Sequence, residues 1–154
     1  MKWYLGIDIS KGYADFVLLS DQLIQVDQTF QLDDTRQGHE HLASWLATLY
    51  KRHPDLHVDC AVESTGGFED NWYALLLKLS STLSIRVARL NPSVVKNASK
   101  AMLNANKTDA ESAREIASYL KRFEDQVDYR VRSDHYTSFR SLHNHLELVK
   151  KQKT

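Results

Sequence analysis

Residues 3–19 read as two apolar runs, Trp3–Ile9 and Tyr13–Leu19, on either side of Ser10-Lys11-Gly12. Two runs of strand length around a glycine-containing turn predict a β-hairpin, and Gly12 supplies the backbone freedom that the turn needs. One acid, Asp8, interrupts the first run between Ile7 and Ile9. Alternation puts Leu5, Ile7 and Ile9 on one face and Gly6, Asp8 and Ser10 on the other. A carboxylate inside an apolar strand is costly unless it is paired or binds a cation. Asp8 is either a strand acid that reaches solvent or one member of a site. The choice depends on whether other acids arrive at equivalent places.

The rest of the chain alternates between periods. Leu23–Leu32 reads as a third strand through Ile24, Val26 and Phe30. Asp33-Asp34-Thr35 offers helix caps, and Leu42, Trp45, Leu46 and Leu49 then recur at helical spacing between Gly38 and Arg52. Leu56–Val62 is a fourth strand that runs into Glu63-Ser-Thr-Gly-Gly67. Glu69 and Asp70 suit the first turn of a helix carrying Trp72, Leu75, Leu76 and Leu79 on one face. Ser84–Leu90 is a fifth strand, followed by a helix from Pro92 to about Met102. Thr108-Asp-Ala-Glu111 forms a capping box for a helix from Asp109 to about Phe123. Phe139, Leu142, Leu146 and Val149 form one stripe of a last amphipathic helix, too short to define a coiled coil by itself. Short connections favour antiparallel pairing of the first three strands, and helical crossovers favour parallel pairing of the later two. The expected fold is a mixed α/β sheet of about five strands flanked by helices.

A chain of 154 residues has the size of one domain and can bury a real core. Its net charge is zero, yet Met1–Pro92 carries 8 basic and 12 acidic residues and Ser93–Thr154 carries 12 and 8. The later half therefore suits an anionic partner. Cys60 is the one cysteine, so no disulfide framework or cysteine metal site is expected, and a reducing compartment fits. No apolar stretch approaches membrane-spanning length and no signal peptide opens the chain, which predicts a cytoplasmic protein without a membrane partner.

Strand ends of such a sheet gather at one edge, where ligand sites form. Asp8 lies in strand one, Glu63 ends strand four, and Asp109 opens a helix, with Ser112 one turn further on the same helix face. Clustered carboxylates repel unless divalent cations sit between them, and hard oxygen donors select Mg²⁺ or Mn²⁺. Two such ions roughly 3.5–4 Å apart would serve phosphodiester chemistry. The plainer alternatives are that Glu63 binds backbone amides of its own loop and that Asp109 only favours a helix N-terminus.

Gly6-Ile-Asp8-Ile-Ser-Lys11, Glu63-Ser-Thr-Gly66, Leu90-Asn-Pro-Ser-Val-Val95 and Lys107-Thr-Asp109-Ala-Glu-Ser-Ala113, in that order, resemble the N-terminal domain of DEDD transposases, the insertion-sequence recombinases that include Piv-type DNA invertases. The resemblance implies a ribonuclease-H-like, RuvC-like domain over residues 1–132 and the start of a helical coiled-coil linker over 133–154, with a catalytic-serine C-terminal domain absent. It implies metal-dependent DNA strand cleavage and transfer, with Asp8, Glu63 and Asp109 as ligands of Mg²⁺ or Mn²⁺. It also implies a DNA partner, a structured guide RNA and a homo-oligomer formed through the C-terminal helix. The family's fourth acid falls on Ser112, which offers only a neutral hydroxyl and so weakens the expected site.

Lys96 and Lys100 stand one helical turn apart, and Lys107 follows just before Asp109, a basic stretch suited to a nucleic-acid backbone. Lys121, Arg122, Arg130, Arg132 and Arg140 would extend it, with Tyr129 and Tyr136 as stacking surfaces. Two rivals remain on sequence grounds: a catalytically silent nucleic-acid-binding domain of the same fold, and a fragment of an actin-like sugar kinase, which also opens with a Gly-x-Asp strand and hairpin.

Overall fold

The computed structural model describes residues 1–100 and 109–131, apart from the side chains of Ser99, Asp109 and Ala110. The chain forms β1 (Lys2–Ser10), β2 (Tyr13–Leu19), β3 (Phe30–Asp33), α1 (Arg36–Arg52), β4 (His57–Glu63), α2 (Asp70–Leu79), β5 (Ile85–Leu90), α3 (Pro92–Lys100) and α4 (Asp109–Arg122), then a 3-10 turn at Glu124–Gln126. The sheet order is β3-β2-β1-β4-β5. β1, β2 and β3 pair antiparallel, while β1, β4 and β5 run parallel. This is the mixed sheet that the connection lengths predict.

The hairpin closes around Lys11-Gly12, since Ser10 pairs with Tyr13. Odd positions of β1 and even positions of β2 and β4 bury Leu5, Ile7, Phe16, Val58 and Cys60 in one core, with Leu42 and Leu46 of α1 and Trp72 and Leu76 of α2. Phe16 meets Trp72 edge-on at 5.3 Å and stacks on Phe30 at 5.0 Å, which locks the helix layer to the hairpin. Burial pushes the Cys60 thiol pKa up, as expected of an inert structural cysteine.

The opposite face is covered by α4 through Ala113, Ile116, Ala117 and Leu120. Small residues let the helix lie directly on β1. A Cβ on Gly6 would stand 1.9 Å from the Ala113 carbonyl oxygen, so only glycine fits under this helix. Further along, Lys121 pairs with Asp21 at 2.8 Å, and Glu124 accepts hydrogen bonds from Tyr4 and Lys2. The helix therefore runs against β1, from the carboxyl end of that strand to its amino end.

The third strand is shorter than its apolar pattern predicts. Ser20–Ile24 forms a turn, with the Ser20 amide donating to the Ile24 carbonyl at 2.8 Å and Leu23 at φ 62°. Gln25 keeps only an isolated bridge to Leu19, and Ile24 and Val26 stay exposed. Pairing begins at Phe30. The expected linker at 133–154 lies outside the described residues.

Candidate active site

β1 and β4 pair in register up to Ile7 and Val62, so the next residue on each strand, Asp8 and Glu63, stand side by side. Both point to the face that carries α4, by alternation from the buried Ile7 and Val62 of the other face. Both are half-buried. α4 begins at the same end of the sheet, because Ala113 already lies on Gly6, two residues before Asp8. The backbone of Asp109, one turn before Ala113, is thus brought to the edge where Asp8 and Glu63 sit. Ser112, half-buried, stands in that first turn. The Asp109 side chain lies outside the described set.

One acid at this edge escapes a strand-by-strand reading. Asp15 pairs directly with Asp8 across the hairpin, and Gln31 of β3 donates to it at 3.1 Å. The signal is present in the sequence: residues 8 and 15 are equidistant from the Lys11-Gly12 turn.

The loop after Glu63 is built by a second acid. Glu69 is fully buried, and its carboxylate accepts from the Thr65 amide at 3.0 Å, the Gly67 amide at 3.1 Å and the Thr65 hydroxyl at 3.1 Å. Burial alone would push the Glu69 carboxyl up, but these hydrogen bonds outweigh it and hold the pKa below the ordinary value. Glu69 thus serves the loop rather than acting as the first-turn acid of α2 that its position suggests. The Thr65 and Gly67 amides, which the plainer alternative would give to Glu63, donate to Glu69.

Lys96 and Lys100 are exposed on α3, which starts two residues after Leu90, the β5 partner of Glu63. Lys107 lies outside the described residues, as do Arg132, Tyr136 and Arg140. Other basic and aromatic candidates are engaged within the protein. Lys121 pairs with Asp21, Arg130 with Asp128 at 3.0 Å, and Tyr129 lies under the Arg86 guanidinium at 4.1 Å.

The donors fit a hard divalent cation in kind. Asp8 and Glu63 are carboxylates on adjacent parallel strands, and the backbone of Asp109 opens α4 at the same end of the sheet. Among the described residues no three acidic, histidine or cysteine side chains are grouped closely enough to hold an ion.

A mixed five-stranded sheet with this order and a helix laid against β1 make a ribonuclease-H-like fold of the RuvC kind. Two solved structures share it: Thermus thermophilus RuvC, with a TM-score of 0.55 at 13% identity over 82% of this chain and 98% of that one, and T. thermophilus RuvC in complex with a Holliday junction substrate, with 0.56 at 12% identity over 83% and 99%. The family model of DEDD transposases of the IS110 type, described as transposase, matches residues 5–154, and the chain belongs to that family. No curated protein matches the sequence. Family membership sets the sugar-kinase alternative aside.

Proposed function

We propose that this chain is the metal-dependent, nuclease-like domain of a transposase, acting in cleavage and transfer of DNA strands. The observation that carries the reading is the placement of Asp8 beside Glu63 at the end of the sheet where α4 begins. Asp8, Glu63 and Asp109 would hold Mg²⁺ or Mn²⁺, and Ser112 would occupy the fourth position through its hydroxyl or a water. When bound, such ions supply activation of the attacking oxygen and stabilisation of the leaving one at a phosphodiester. The chain's own part is to hold the carboxylates on rigid strands, so that the ligand geometry is set before substrate arrives.

DNA is the expected partner, in keeping with transposase membership and with the Holliday junction in the resolvase complex. Lys96 and Lys100, with Lys107, would meet its phosphates beside the acids. A structured RNA that specifies the DNA sites and a homo-oligomer built through the 133–154 segment complete the proposal.

One residue favours a second reading. Ser112 brings a neutral hydroxyl where an acid is expected, and a domain that binds nucleic acid without cleaving it would tolerate that. Calorimetric titration with Mn²⁺ separates the two. The nuclease reading expects binding by the wild-type protein that is lost in Asp8→Asn. Absence of binding by a folded wild-type protein, with DNA binding retained, would establish the silent domain instead.

A further inference from the structure

The two fully buried acids among the described residues are Asp59 and Glu69. Asp59 is surrounded by cations at the far end of the sheet. Glu69 is different: the amides and hydroxyls that donate to it belong to the loop that leaves Glu63. The Ser64 hydroxyl, at 3.5 Å, adds to the three shorter bonds from Thr65 and Gly67.

Ladder pairing reaches only to the start of this loop. Glu63 pairs with Leu90, and the Ser64 amide donates to the Leu90 carbonyl at 2.9 Å. The other end is tied at Asp70, which accepts from Arg89 of β5 at 2.9 Å. Between these ties the loop has no strand partner, and Gly66 and Gly67 take φ of 78° and 122°. That backbone curls the Thr65 and Gly67 amides inward onto one carboxylate. Two glycines would otherwise make this the softest segment at the edge. A buried anion that gathers several donors makes it stiff instead. The same arrangement keeps those amides from cradling a phosphate of nucleic acid.

We infer that Glu69 is a positioning residue: by fixing the Ser64–Gly67 loop, it holds Glu63 in the orientation that ligates the divalent cation. The inference rests on the metal site proposed above. Glu69 itself is no ligand, because it is fully buried and its oxygens face the loop. Glutamine is close to isosteric but removes the charge that strengthens the three bonds gathered on Oε2, and it puts an amino group where Oε1 faces the Ser64 hydroxyl.

Two measurements on the full chain test the role. Amide exchange in the metal-free protein reads the clamp directly: Thr65 and Gly67 are slow in the wild-type protein and faster in Glu69→Gln. Fast exchange of both in the wild-type protein overturns the clamp without any variant. Mn²⁺ titration followed by electron paramagnetic resonance reads the consequence. Glu63→Gln abolishes binding, and Glu69→Gln weakens it about tenfold, the usual scale for a residue that orients a metal ligand. A folded Glu69→Gln protein that binds Mn²⁺ as tightly as wild type, while Glu63→Gln does not, overturns the role of Glu69 alone. A folded wild-type protein that binds no Mn²⁺ overturns the metal site and this role together.

Discussion

The two ends of the sheet treat their acids in opposite ways. At the amino end, Asp59 is fully buried and saturated. Arg86 donates to both of its oxygens at 2.9 Å, His57 approaches at 2.8 Å and Lys2 at 3.1 Å. The same cluster reaches Glu124 through Lys2 and Tyr4, and Arg86 covers Tyr129, so it pins the segment after α4 to the sheet. At the carboxyl end, Asp8 and Glu63 are half-buried on neighbouring strands, with Asp15 across the hairpin from Asp8. An acid in a strand is therefore not informative by itself. Asp59 is a structural anion enclosed by its counter-ions, whereas Asp8 and Glu63 sit half-buried on neighbouring strands at the opposite end.

Breaking the saturated end should have the largest effect. Asp59→Ala leaves three basic side chains facing each other around a buried hole. A loss of about 3 kcal/mol is expected in urea unfolding, the low end for breaking a buried ion pair because Arg86 and Lys2 reach solvent. Asp8→Asn, which relieves repulsion from Asp15, should change stability by less than about 1 kcal/mol. If the two variants cost the same, the distinction between the ends fails.

Acid should act next. Burial pushes the Asp59 carboxyl up, but hydrogen bonds from Arg86, His57 and Lys2 outweigh it and hold the pKa below its ordinary value. The Glu69 carboxyl is lowered as well. A carboxyl with a lower pKa in the folded state gives stability that is full above its unfolded value, about 4. That stability is lost as pH falls through the lowered folded value, because the unfolded chain takes up protons first. Melting temperature should thus hold from neutral pH down to roughly pH 5 and fall steeply below about pH 4. Asp59→Asn should flatten that fall. An equally steep fall in Asp59→Asn would place the acid sensitivity elsewhere.

The smallest effect concerns the open end. Lys96→Ala with Lys100→Ala should leave stability unchanged and weaken DNA binding at low salt. The slope of log affinity against log salt should drop by about 2, one unit for each phosphate that a lysine no longer neutralises. An unchanged slope would remove α3 from the DNA surface.

Much of this was legible in the sequence, for a physical reason. Alternation around Lys11-Gly12 fixes which face Asp8 occupies, and helical spacing in Leu42–Leu49 and Ala113–Leu120 identifies the two covering layers. Thr35 caps α1 as its position suggests, accepting from the Gly38 amide at 3.1 Å. The third strand is shorter than predicted because alternating apolar residues report a willingness to pair, not how far a ladder extends: next to the Ser20–Ile24 turn only the Gln25 bridge and the bond from the Val26 amide to the Leu18 carbonyl form. Glu69 was hidden because a buried acid and a helix-opening acid look alike in one dimension. Only the convergence of the loop amides tells them apart.

The most direct test of the central claim is an anomalous-scattering map from crystals soaked in millimolar Mn²⁺, for the wild-type protein and Asp8→Asn. The proposal expects a peak bounded by Asp8, Glu63 and the first turn of α4 that vanishes in the variant. A single peak rather than two would show what Ser112 costs. No peak at that edge in wild-type crystals, or the same peak in Asp8→Asn, would contradict a metal site built on these acids.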